Sequence, residues 1–349
     1  LGDPRTYYFV LPEVAHPVGG VNVAMQIVDT LCKAGFDARA LYGSPRYHYR
    51  FLDSAAPVCH DPRLRKQVLP GGSRRSRLKT IWRDPAWRGV RSSVATVRGS
   101  DVIVVPEYRY PEFAALYPDN PIIVAAQDVH GFAEGFLRDA DRVLDRSVAV
   151  LTTSEASASA VAAVTDRPQL QLRLQVGRTG LGFEAKKSRR VAYMPRKRGL
   201  EAAFAVAALR ERAALDGYEF TAIERMSEAE MIAVLRDSRI FLAFSQREGF
   251  GLPPAEAMIA GCIVVGYTGV GGREYFTDAT GVPVPDSDVV GLVEATTAVA
   301  AEYDHDPVRL DALRRAASDT ITACYSEDAF QRSVLAAWDA IEAELGNRD

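Results

Sequence analysis

Glu248 and Glu256 close the two ends of Glu248-Gly-Phe-Gly-Leu-Pro-Pro-Ala-Glu256, the stretch whose chemistry is easiest to read. A carboxylate accepts two hydrogen bonds from a vicinal diol such as a ribose. Gly249 and Gly251 let the backbone approach a ligand closely. Pro253 and Pro254 suit the first turn of a helix, where a missing N–H costs nothing. A helix starting there offers N–H groups and the positive end of its dipole to an anion. A ribose at Glu256, a second sugar at Glu248 and phosphate between them is the outline of a nucleotide sugar.

The elements that must position this turn lie on both sides of it. Arg239–Phe244 and Cys262–Gly266 read as short buried strands, and Leu252–Gly261 as a short helix between them. The glutamates thus sit where a strand ends in a parallel sheet, the edge at which open α/β sheets bind ligands.

Two glutamates with Gly-Phe-Gly-Leu-Pro-Pro between them resemble the signature of retaining GT-B glycosyltransferases of family GT4. The resemblance covers nearly the whole chain, most strongly over about 190–280 and least over 40–100. It implies an α/β, GT-B fold: two Rossmann-like domains facing each other across a cleft. It also implies retention at the anomeric carbon, no cofactor and no required metal.

Other segments fit that frame. Tyr7–Leu11 reads as a strand and leads to Gly19-Gly20, which open a helix with Val23, Ile27 and Leu31 on its buried face. Gly19 and Gly20 are expected to bring backbone N–H groups to a phosphate or the acceptor. A strand at Pro121–Ala125 ends in Gln127-Asp128-Val-His130. Asp128 is expected to bind substrate, and the resemblance implies that His130 stands near the reacting carbon of the donor. Val191–Met194 is a strand that runs into Pro195-Arg196-Lys197-Arg198, cations suited to a diphosphate. The family usually carries an Arg and a Lys about five residues apart here. This chain has Glu201 at that spacing from Arg196, so Lys197 is expected to supply the second cation. Gly271, Gly272 and Glu274 form a second glycine-rich loop, expected to wrap the phosphates or the sugar, together with Phe250, Gly251 and Leu252 of the first.

The expected domains are 1–170 for the acceptor and 189–325 for the donor, with a linker at 171–188. The C-terminal helix 326–345 is expected to pack back on the first domain. Asp288 reads as an N-cap, and neither Asp286-Ser-Asp288 nor Asp304-His-Asp306 is expected to hold a metal.

Composition sets the outer limits. Hydrophobic residues make up 48% and charged residues 25%, and the net charge is −3, which suits a soluble enzyme and gives no general pull toward nucleic acid. Four scattered cysteines suit a reducing cytoplasm. No apolar run approaches a membrane span. Residues 63–98 hold eleven Lys and Arg against one acid, Asp84. That segment is either a solvated insertion or a patch for an anionic acceptor or membrane surface. The expected localisation is cytoplasmic, with peripheral contact at the inner membrane face as the variant. The expected activity is transfer of a hexose-type sugar from a nucleoside diphosphate to an acceptor hydroxyl. A non-catalytic nucleotide-sugar-binding or scaffold protein, or another GT-B activity such as an epimerase, is the alternative. The donor base, donor sugar and acceptor stay open.

Overall fold

The computed structural model describes residues 5–68, 84–195 and 197–347. Arg196 and residues 69–83, the middle of the basic segment, lie outside the described residues. The chain divides into two compact units, residues 1–173 with 330–349, and residues 174–329.

The sheet of the first unit is parallel throughout. Its strands are β1 (Thr6–Val10), β2 (Asp37–Tyr42), β3 (Val58–His60), β4 (Ser93–Val94), β5 (Val102–Pro106), β6 (Ile122–Ala126), β7 (Ala149–Thr152) and β8 (Gln169–Gln171). They lie side by side as β4-β3-β2-β1-β5-β6-β7-β8. Strands buried on both faces need continuous apolar runs, and Tyr7–Val10 and Val102–Val105 supply them. Helices α1 (Gly19–Lys33) and α2 (Val129–Phe136) follow β1 and β6. The edge strand β8 ends on the first residue of the segment read as a linker. Gln-Leu-Gln gives no strand signal of its own, and pairing with β7 makes it one.

The second unit holds β9 (Ser188–Tyr193), β10 (Glu219–Ala222), β11 (Ser238–Phe244), β12 (Ile263–Tyr267) and β13 (Val282–Val284). Their order is β10-β9-β11-β12-β13, again all parallel. Helices α3 (Gly199–Arg210), α4 (Glu228–Asp237), α5 (Leu252–Ile259), α6 (Val289–His305) and α7 (Val308–Cys324) flank it. Its core joins Val191, Ile240, Leu242, Ile263 and Val265 to Ala205, Leu209 and Leu292.

The last helix, α8 (Glu327–Gly346), belongs from Phe330 onward to the first unit. Its Trp338 is fully buried. The indole stacks on Phe9 at 5.8 Å and meets Tyr7 edge-on at 5.6 Å. Glu342 adds an ion pair to Arg5 at 3.0 Å and accepts from the Tyr7 hydroxyl. The N–H of Arg173 donates to Ser333 Oγ at 3.0 Å.

Two order reversals matter for function. In the first sheet β1 has β2 on one side and β5 on the other. In the second, β9 lies between β10 and β11. Loops leaving the carboxyl ends of such neighbours diverge and open a crevice for ligands.

Because Trp338 anchors α8 on β1, Trp338→Ala is expected to cost about 3–5 kcal/mol in urea unfolding. The indole N–H finds no partner among the described residues, so Trp338→Phe is expected to cost less than about 1.5 kcal/mol. Equal losses for the two would overturn this account of the anchor.

Candidate active site

At the carboxyl edge of the second sheet, β9 delivers Lys197 and β11 delivers Glu248. Lys197 Nζ lies 2.9 Å from Glu248 Oε1 and donates to the Gln246 carbonyl at 3.1 Å. Two residues expected to serve the donor are thus brought together and hold each other. Arg198 goes elsewhere. It is 7% exposed, donates to Glu201, Asp286 and Ser287, and covers the Tyr267 ring at 4.8 Å. Glu201, placed where a cation was expected, joins Asp286 in holding Arg198, and Lys197 goes to the β11 loop.

The two glycine loops interlock. The Gly271 N–H donates to the Glu248 carbonyl at 3.3 Å. A Cβ on Gly271 would stand 1.8 Å from the Gly249 carbonyl oxygen, so no side chain fits there. Gly251, at φ +88°, takes the left-handed turn that starts α5, and no side chain caps the helix. Leu252 is its first residue. The Tyr275 hydroxyl donates to the Gly251 carbonyl. The Phe250 ring is 4% exposed and packs 4.8 Å from both Tyr275 and Tyr325. The Phe250 ring is therefore core, and its backbone is the part left to the turn. Glu274 accepts from the Tyr325 hydroxyl at 2.7 Å. Gly272, like Gly271, is buried in the turn Gly271–Glu274.

Glu256 is 4% exposed. Burial raises its carboxyl above the usual range, opposed by the Arg178 guanidinium. Arg178 Nε donates to Glu256 Oε1 at 2.7 Å, and its Nη1 donates to Glu228 Oε2 at 2.8 Å. Nothing in the sequence pattern singled out Arg178, since its partners lie far along the chain.

At the carboxyl edge of the first sheet, Gln127 Nε2 donates to the Gly20 carbonyl at 3.1 Å, and a Cβ on Gly20 would stand 2.9 Å from Gln127 Oε1. Gly19 begins α1 beside it. The loop before them is pinned from below. Fully buried Glu13 accepts from Ser44 N, Ser44 Oγ and Trp87 Nε1 at 2.6, 2.7 and 2.8 Å. The Tyr47 hydroxyl donates to the Val14 carbonyl and accepts from its N–H, both at 2.9 Å. Asp128 caps α2 through Oδ2, which accepts from the Gly131 N–H at 2.9 Å. Its Oδ1 is buried without a partner among the described residues. His130 is exposed on the first turn of α2.

Glu107, just past β5, escaped the sequence reading. It is 9% exposed, and a Cβ on Gly131 would stand 3.0 Å from its Oε1. Burial pushes its carboxyl up to about 8, partly opposed by backbone N–H donors of Glu107, Gln127 and Asp128. An acid at the end of a strand is common, and only the closing of α2 over it reveals its burial.

The Asp-x-Asp triplets are engaged within the fold. Asp286 pairs with Arg198, Asp288 caps α6 at Gly291, Asp304 pairs with Arg189 and Arg239, and Asp306 accepts from Val308 N.

Residues 211–310 match the model of the family described as glycosyl transferases group 1. A 65-residue stretch is 35% identical to an alpha-1,6-glucosyltransferase of Actinobacillus pleuropneumoniae. That match spans 18% of this chain and 20% of the relative's length. Whole-chain likeness appears among solved structures. Sucrose-phosphate synthase of Thermosynechococcus elongatus superposes with a TM-score of 0.66 at 14% identity, over 97% of this chain and 99% of that one. HepE of Anabaena with UDP and glucose gives 0.62 at 12%, over 96% and 100%. The pneumococcal O-GlcNAc transferase GtfA with UDP and GlcNAc gives 0.62 at 10%, over 98% and 99%. The fold is that of the GT-B glycosyltransferases.

Glu107 yields a test on the GT-B scaffold itself. A carboxyl whose folded value lies near 8 against an ordinary 4.5 stabilises the fold fully below about pH 4.5. That contribution falls as pH rises and is gone above about 8. Asp128 and Tyr108 share its field. Glu107→Gln is expected to make the decline in unfolding free energy over that window shallower, by up to about 1.4 kcal/mol per pH unit. Identical pH slopes in the two proteins would show that Glu107 is charged in the fold.

Proposed function

We propose that this protein transfers a hexose from a nucleoside diphosphate donor to an acceptor hydroxyl, with retention at the anomeric carbon. The observation that carries the reading is the edge where Lys197, Glu248, the interlocked glycine loops and the uncapped start of α5 converge. The group 1 match over 211–310 spans most of that edge. The neighbours whose structures hold UDP with glucose or GlcNAc make UDP the first nucleotide to try.

On this reading Glu256 holds the ribose and Glu248 the donor sugar. The diphosphate rests on the N–H groups of Leu252 and of the Gly271–Gly272 turn, and Arg196 and Lys197 neutralise it as it leaves. Lys197 is already within reach of a ligand at Glu248, so donor binding exchanges one ion pair for another. Asp128 and His130 serve the transferred sugar, and Gly19 and Gly20 the acceptor. A diphosphate oxygen takes the acceptor's proton as the new glycosidic bond forms. Catalysis then comes from positioning and charge stabilisation. The donor is a substrate, and the mechanism calls on no metal and no cofactor.

The basic segment supports peripheral contact with an anionic membrane from the cytoplasm. Within its described part Arg63 and Arg98 are tied to Asp61 and Asp101, while Arg65, Lys66 and Arg91 are exposed. No described helix is long and apolar enough to cross a membrane.

The deciding experiment is UDP titration by calorimetry beside donor hydrolysis. Glu256→Ala is expected to weaken UDP about tenfold, or ~1.4 kcal/mol. Glu248→Ala is expected to lower turnover about a hundredfold and leave UDP affinity within about threefold. Proton NMR of the first product gives the anomeric configuration. Loss of UDP binding in Glu248→Ala alone would reverse the two roles. UDP binding without any hydrolysis or transfer would favour the non-catalytic alternative.

A further inference from the structure

Residues 176–178 enter the second unit at the point where its two key carboxylates lie. Val176 N donates to the Tyr325 carbonyl at 2.9 Å. Gly177 adopts φ +119°, outside the range of ordinary side chains, and its missing Cβ would stand 3.6 Å from Ile259. This turn aims Arg178 at the starts of two helices together. Glu256 lies in the second turn of α5, and Glu228 begins α4 behind the Ser227–Glu230 capping box. The guanidinium bonds both carboxylates, with Nε on Glu256 and Nη1 on Glu228. Its side chain is 31% exposed, against 5% for Glu256 and 54% for Glu228. Nη2 makes no hydrogen bond within the described residues, so its two N–H donors stay unused there.

Among the described residues, Arg178 is the cation whose field acts on Glu256. Arg178 comes from the segment between the sheets, and Glu228, a like charge, comes from α4. The Tyr275 hydroxyl, from the loop after β12, shares its field. Helix α7 packs along α5, but its Arg314 is spent on the carbonyls of Glu184, Ala185 and Gly261. A carboxyl buried this deeply takes up a proton unless a cation opposes it. A protonated carboxyl loses half of the acceptor capacity that a diol needs.

We propose that Arg178 is the positioning residue of the donor nucleoside: it holds Glu256 ionised and aligned for the ribose diol, and Glu228 anchors it from the outside. The inference rests on the nucleotide-sugar reading above. It adds that the ribose site is a pair, a carboxylate and the arginine that keeps it charged. A lysine in its place carries the charge but not the planar fork that spans two carboxylates.

The test is UDP affinity of wild type, Arg178→Met, Arg178→Lys and Glu256→Ala, by calorimetry from pH 6 to pH 8.5, with apo melting curves for each. Arg178→Met is expected to bind UDP about tenfold more weakly near pH 7. The ratio of its Kd to that of wild type, in which UDP's own ionisation cancels, is expected to fall as pH rises and Glu256 loses its proton. Arg178→Lys is expected to bind with intermediate affinity and a ratio nearly independent of pH. A purely structural role would lower the melting point without a pH-dependent ratio, and that result overturns the proposal. So does wild-type affinity in Arg178→Met, or in Arg178→Lys should the methionine variant fail to fold. If wild type binds UDP and Glu256→Ala does not, while Arg178→Met is indifferent, the positioning role alone is wrong. If wild type binds neither UDP nor GDP, ADP or dTDP, the donor reading fails with it.

Discussion

Removing a carboxylate from water costs several kcal/mol unless a cation and hydrogen bonds replace the lost solvation. Glu256, 4% exposed in the second turn of α5, is opposed in its burial by one guanidinium. Much of the carboxyl edge of the second sheet depends on the arrangement. Gly177 turns the chain ahead of Arg178, and the Tyr325 carbonyl holds Val176. Tyr325 in turn packs on Phe250 and donates to Glu274. The ion pair, the aromatic cluster and both glycine loops therefore form one connected piece, and a ligand there meets groups already in position. Preorganisation of this kind is what electrostatic catalysis requires.

The first unit solves a similar problem without a cation. Its loop before Gly19 is held by Glu13, whose carboxylate sits among three donors in a place closed to water. Burial raises that carboxyl while the Ser44 and Trp87 hydrogen bonds lower it. Glu107 lacks side-chain donors of that kind, and its proton stays to about pH 8. Burial raises both carboxyls; side-chain and backbone donors oppose it at Glu13, and backbone donors oppose it at Glu107.

The basic run after β9 shows how one substitution redistributes charge. Arg198 has two acids, Asp286 and Glu201, and the second stands where the resemblance placed a cation. With Glu201 there, Arg198 folds inward over Tyr267, and Lys197 becomes the described cation at the β11 loop. Positive charge is thus kept at the strand end by Lys197.

The sequence alone determined features that depend on a few neighbouring residues. Apolar runs of strand length, separated by amphipathic helices, specify two parallel α/β sheets. Gly251 before Leu252-Pro-Pro specifies a left-handed turn into a helix, Ser227 with Glu230 a capping box, and Asp288 an N-cap. Backbone dihedrals and short-range hydrogen bonds decide these, and both are written in local residue types. The tertiary structure alone decided which side chains pair. Arg178 and Glu256 are 78 residues apart, and Glu13 and Trp87 are 74. Phe250 faces inward because Tyr275 and Tyr325 close over it, and Glu107 keeps its proton because α2 packs against it. Those outcomes follow from the order in which strands assemble and from what each closing element excludes from water, and neither is encoded in residue spacing.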